Sequence, residues 1–142
     1  MDAGTITAVP GVSVGHAQVP GGGSGCTVVL GPFRARVETA GLATGSRELD
    51  VLSEGHVVPK VDALLLTGGS AFGLAAAQGV VEWLEAQGRG HVTAVARVPI
   101  VAAAVLYDLA PGRGRPGPEE GRRASAAASA APVAEGRVGA GT

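Results

Sequence analysis

Cysteine, lysine and aromatic residues are nearly missing from this chain, and each shortage closes off a class of function. With the single cysteine Cys26, no internal disulfide framework can form. Lysine occurs once, as Lys60, and charged residues make up 16% of the chain with a formal net charge of -1. Such a surface offers no polybasic patch for nucleic acid or anionic lipid. Aromatic residues reach only 3%, too few for base stacking or for a membrane-interface belt. No apolar run has the length of a membrane span, and Met1-Asp2 opens no signal peptide. The three histidines, His16, His56 and His91, lie far apart with no Cys/His spacing around them, so no metal site is indicated. The simplest expectation is a reduced, cytoplasmic protein without metal, cofactor, nucleic-acid or membrane partner.

What the chain does have is glycine, 24 of its 142 residues. The length suffices for one domain. Its central stretch is VDALLLTGGSAFGLAAAQGVVEWLEAQG, Val61 to Gly88. Val61 to Leu66 is an apolar run broken only by Asp62, which predicts a strand buried on both faces. Gly68-Gly69 marks a turn, and Ser70 stands where a helix N-cap belongs. An apolar helix follows, with Gly88 at its C′ position. A glycine turn between strand and helix could cradle a phosphate. Here Ser70 occupies the middle glycine of a G-x-G-x-x-G pattern, and there is no Walker lysine. It could be a nucleophile elbow, but G-x-S-x-G needs glycine where Phe72 stands. On the residues alone, the glycines serve close backbone approach and Ser70 caps the helix.

The flanking segments read as a mixed α/β pattern. Thr5 to Gln18 predicts two short strands about Pro10-Gly11, with His16 a surface or capping residue. Cys26 to Leu30 and Arg34 to Thr39 predict a hairpin about Gly31-Pro32, Cys26 acting as a small buried hydrophobe. Arg47-Glu48 reads as a local salt bridge on a glycine-rich loop. Val92 to Ala96 carries a weak strand signal. Val98 to Leu109 predicts a strand with Tyr107 and Asp108 at its C-terminal end, where α/β folds place functional residues, with a helix over Ala102 to Leu106 as the alternative its alanines allow, and Asp108 caps the next turn. A lone buried tyrosine would need a hydroxyl partner. PGRGRPGP, Pro111 to Pro118, is a loop, and Glu119 to Ala131 is helix-prone, acids first.

Several motifs in fixed order carry a resemblance: GVSVGHAQ, GCTVVL, SRELDVL, LLLTGGSAFGL, VPIVAAAVLYDL and EGRVGAGT. Together they resemble the DmpA-like family of L-aminopeptidase/D-esterase enzymes, which includes β-peptidyl aminopeptidases and the nylon-oligomer endohydrolase. The resemblance implies an α/β/β/α sandwich and an N-terminal-nucleophile hydrolase that cleaves its own precursor. A freed Ser or Thr then attacks a peptide, amide or ester through an acyl-enzyme. It further implies that Tyr107 supports the nucleophile or substrate, that Gly68, Gly69, Ser70 and Phe72 form a wall of the substrate pocket, and that Arg47-Glu48 lies near the site. In the family GAGT is internal. Residues 1–142 are therefore expected to be a single partial domain, the N-terminal part of an α-subunit. The nucleophile would lie in a missing C-terminal part of the precursor, and the chain alone would be inactive. Ala102, where the family usually has proline, and Arg137, where asparagine is common, depart from the pattern. Half a sandwich exposes a sheet face, so a homo-oligomer is expected. The alternative is a small non-catalytic α/β binding or assembly module.

Overall fold

A computed structural model describes residues 4–142. Five strands form one mixed sheet: β1 (Ser13–Gln18), β2 (Gly25–Phe33), β3 (Ser46–Arg47), β4 (Val61–Thr67) and, later in the chain, β7 (Val101–Val105). Their order is β1-β2-β4-β7-β3. β2 pairs antiparallel with β1 on one side and β4 on the other, whereas β4 and β7 run parallel, with Leu64 opposite Ala102. A separate hairpin pairs β5 (His91–Val92) with β6 (Arg97–Val98). Parallel strands require a crossover, and the chain supplies it between β4 and β7 as a 3-10 turn, Ser70–Ala75, and helix α1, Ala76–Ala86. The second helix, α2, spans Pro118–Ala126.

Alternation divides the strands into two faces. Val28, Ala63, Leu65, Val101 and Ala103 pack against the α1 stripe Ala76, Ala77, Val80 and Leu84, forming the main core. Small residues set the depth of that packing. The missing side chain of Gly121 faces the Ala76 carbonyl, and that of Gly15 faces the backbone of Ala124 and Ala128. α2 can therefore lie directly on both α1 and β1. On the opposite face, Leu52, Val61, Ile100 and Ala102 form a smaller cluster beneath the 3-10 turn Leu49–Leu52. The rest of that face is open, with Leu66 47% and Leu106 44% exposed.

The predicted strand–turn–helix stands, and α1 closes as expected. Gly88 has φ +65, its N–H donates to the Glu85 carbonyl, and the Arg89 N–H donates to Leu84, a Schellman closure. Asp62, the interruption in the apolar run, is buried and accepts from the Ile100 N–H at 2.9 Å. It fixes the point where the chain enters β7.

Other expectations are corrected. Residues 34–39 form no strand: β2 runs through the cis Gly31-Pro32 bond to Phe33 and already has β1 and β4 on its two sides. Ile6–Ala8 is a 3-10 turn rather than a strand. The apolar stretch from Val98 divides at Pro99, which has no N–H to donate; Arg97–Val98 joins the hairpin, and only Val101–Val105 enters the sheet. α2 stops at Ala126, short of Ala131. His16 is half-buried rather than fully at the surface: Nδ1 lies 2.9 Å from Thr27 Oγ1, while Nε2 is buried without a hydrogen-bond partner. Cys26 is fully buried as anticipated, its thiol pushed up to about 12 by burial first and the nearby Glu120 carboxylate second, with Arg123 opposing. It is no nucleophile at neutral pH.

Among the described residues, no helix is long and apolar enough to cross a membrane.

Candidate functional site

β4 and β7 end side by side, and the chain beyond each end is drawn against the other. The Leu106 N–H donates to the Thr67 carbonyl at 2.8 Å, and the Ser70 N–H donates to the Leu106 carbonyl at 3.0 Å. Between these bonds lies the glycine turn. Gly69 has φ +81 and Ser70 φ +53, two consecutive left-handed residues; glycine tolerates that conformation freely and serine does not. Ser70 is therefore the first residue of the 3-10 turn rather than its N-cap. Gly69 takes the cap position, and no side chain caps there. The turn closes tightly on itself, so that the missing side chain of Gly73 faces the Gly68 carbonyl.

Asp108 holds the turn. Its carboxylate accepts from the Gly69 N–H at 2.6 Å and from the Ser24 hydroxyl at 2.6 Å. The Gly68 N–H donates to Gly25 at 2.8 Å. A side chain at Gly68 would collide with both the Asp108 carboxylate and the Ser24 hydroxyl, so glycine is required there for space. Short bonds to an ionised acceptor are the stronger kind. Asp108 thus ties together β7, the glycine turn and the loop before β2. It was expected to cap its own next turn; it serves a turn 39 residues away in sequence instead. Ser24 gave no signal as a site residue in the sequence, because its partner lies 84 positions away.

The arrangement also decides between chemical readings of the turn. The N–H groups of Gly68, Gly69 and Ser70 are all committed to partners within the chain. They have no capacity left to cradle a phosphate. Among the described residues the Ser70 hydroxyl has no hydrogen-bond partner, so no base activates it as a nucleophile. The turn is fixed by these bonds.

Two aromatic side chains are exposed near this turn. Phe72 is 59% exposed, with the Arg115 guanidinium over its ring at 3.9 Å from the centroid. Tyr107 is 81% exposed; the expectation of a buried tyrosine fails because β7 ends at Val105, two residues earlier. The structure thus brings Gly68, Gly69, Ser70, Phe72 and Tyr107 to one end of the sheet. Arg47 lies on β3, the edge strand, paired with Ala103, and Glu48 has φ +57. Among the described residues, Arg47 and Glu48 form no ion pair, and no three His, Cys, Asp or Glu side chains come together as metal ligands.

The sequence profile of peptidase family S58 matches residues 4–142. This chain belongs to that family. It is 46% identical over 149 residues to an uncharacterized aminopeptidase of Mycobacterium tuberculosis, covering 96% of this chain and 43% of the relative. It is 35% identical over 136 residues to a 6-aminohexanoate-oligomer endohydrolase of Paenarthrobacter ureafaciens, covering 93% of this chain and 36% of that enzyme. Its fold is similar to that of a β-aminopeptidase from a Burkholderia species, with a TM-score of 0.64 at 22% identity over 96% of this chain and 41% of that one. These residues span less than half the length of the relatives they match, so most of an S58 protein lies outside them.

Proposed function

We propose that this chain supplies one wall of the substrate pocket in a self-processing aminopeptidase or amidohydrolase acting on peptides, amino-acid amides or esters. The observation that carries this reading is the locked turn. Asp108 and Ser24 hold the Gly68-Gly69-Ser70 turn, with Gly69 and Ser70 left-handed and Phe72 and Tyr107 exposed at its side. Such a wall positions a substrate and performs no chemistry by itself. The nucleophile belongs to the part of S58 relatives that these residues do not match. Tyr107 is the supporting group on this side: its hydroxyl is accessible and able to donate to a reacting oxygen or to orient the attacking group.

Under this reading the chain alone is inactive. Purified residues 1–142 would show no hydrolysis of amino-acid p-nitroanilides, and turnover there would overturn the assignment of the nucleophile elsewhere. The positive test is intact mass spectrometry of the untagged protein from its native cell. Two fragments are expected, the larger containing residues 1–142 and the smaller beginning with Ser or Thr. A single mass of 142 residues would favour a non-catalytic assembly module.

A further inference from the structure

We infer that Arg115 is a carboxylate anchor beside the glycine turn, selecting substrates that carry a free carboxylate, such as peptides or amino-acid oligomers with an unblocked C-terminal end. The inference deepens the hydrolase reading and rests on it for the word substrate; the binding itself stands on the geometry.

An arginine on a surface loop is usually mobile and solvated, but Arg115 is held at three points. Its guanidinium lies over the Phe72 ring, which fixes the plane of the fork and leaves its edge available. Its Cβ and the ring of Pro116 sit against Gly69, at 3.2 Å each from where a Gly69 side chain would begin. Pro116 is fully buried, and the Gly117 N–H donates to Glu120 at 2.9 Å. The backbone around Arg115 is therefore anchored to the turn on one side and to α2 on the other.

The guanidinium is also unspent. Among the described residues it donates no hydrogen bond and pairs with no carboxylate. Asp108, the acid of the neighbouring turn, has both oxygens engaged by the Gly69 N–H and the Ser24 hydroxyl. Arg113, the other cation of this loop, is committed to the Asp108 carbonyl at 2.8 Å. A planar fork held in place, with no internal acid and two exposed aromatic rings close to the same turn, matches a ligand with a carboxylate on a short apolar chain. Guanidinium and carboxylate then meet through two parallel N–H···O bonds. No covalent step is involved.

The test uses the purified 142-residue chain and two probes that an aminopeptidase cannot cleave from a free amino end: N-acetylglycylglycine and its C-terminal amide. The Arg115 side-chain Nε–H resonance is followed by nuclear magnetic resonance at low salt, assigned from its loss in Arg115→Lys. The acid is expected to shift it saturably, with affinity about tenfold above that of the amide, as expected for one charge-assisted bidentate contact. In Arg115→Lys, the acid-dependent shifts of Gly69 and Phe72 amides should weaken roughly fivefold, because a lysine keeps the charge and loses the fork. Phe72→Leu should weaken binding about threefold by freeing the guanidinium. Equal shifts from acid and amide would overturn the inference. So would undiminished binding in Arg115→Lys, or an unshifted Arg115 in an otherwise dispersed spectrum. Failure of the hydrolase reading would show separately, as a single unprocessed mass for the native protein with carboxylate binding intact.

Discussion

The two faces of the five-stranded sheet are built from the same strands and have different surroundings. Along β4, Ala63 and Leu65 are fully buried under α1, while Leu66, the next residue, is 47% exposed. Along the continuation of β7, Ala103 is buried and Leu106 is 44% exposed. Nothing in residue type separates the two sides, since leucine and alanine occur on both. A strand whose both faces are apolar is suited to a sheet covered on both sides. The helices cover one side; Leu49–Leu52 covers a corner of the other and leaves an apolar hollow of about 150 Å³ lined by Leu64, Leu66, Ala102 and Ala104. The candidate site lies at the C-terminal ends of β4 and β7, at the border of the open face.

The sharpest way to break the contrast is to truncate neighbours on opposite faces. Leu65→Ala removes a fully buried side chain and should cost about 3 kcal/mol, transfer and cavity terms together. Leu66→Ala should cost less than about 1 kcal/mol in the same chain. Urea denaturation of both variants gives the comparison directly. Equal losses would mean that the second face is covered in solution. The next effect is at Asp108. Asp108→Ala leaves the Gly69 N–H without its acceptor and should cost about 2 kcal/mol. Tyr107→Phe, one residue away, should stay within about 0.5 kcal/mol because the hydroxyl faces solvent. A large loss of stability in Tyr107→Phe would show that the tyrosine is packed, contrary to its exposure.

The open face should also make the isolated chain associate, as large exposed apolar patches do. Light scattering is expected to show a mass that grows with concentration, and Leu66→Ser with Leu106→Ser should lower it while leaving the urea midpoint nearly unchanged. A sharp monomer peak for the unmodified chain would count against this and against the homo-oligomer expected from the sequence.

How much of this was legible follows from the range of the interactions. Local signals held: the apolar run at Val61–Leu66, the glycine pair and Gly88 define β4, the turn and the end of α1, because each acts within a few residues. Arg34 to Thr39 misled, since alternating charged residues imitate a strand face while β2 had no free edge left to pair with it. Ser70 carried a capping signal, but its φ of +53 is imposed by bonds to Leu106 and by the Asp108 clamp on Gly69. The clamp itself joins Ser24 to Asp108 across 84 positions, and no local pattern encodes a contact of that span. The Arg115–Phe72 stack crosses from a loop to the crossover turn for the same reason. Tyr107 and Phe72 were singled out through family resemblance; their exposure could not be read from residue type.

The smallest effect tests a second place, besides Leu49–Leu52, where the chain covers the open face. His16 lies opposite Thr27 in the β1–β2 ladder. Thr27 Oγ1 also accepts from the Ala140 N–H at 3.0 Å, and the missing side chain of Gly139 faces the His16 ring and Thr27. The short 3-10 turn Gly139–Gly141 is thereby packed over this corner. Burial lowers the His16 pKa from its ordinary 6.5, because Nε2 has no partner to share a second proton's charge. The neutral ring is the form that packs. Its contribution to stability is complete above about 6.5, where the unfolded chain is also neutral, and is lost as pH falls through that value toward the depressed folded pKa. The urea midpoint should therefore drop between pH 7.5 and 5.5, above the range in which ordinary carboxylates titrate. Exchange of the Ala140 amide with solvent should accelerate over the same interval, a local reading that global stability alone would not single out. In His16→Gln both changes should flatten. A midpoint that falls equally in that variant would assign the pH dependence to another group and leave this corner as open as the rest of the face.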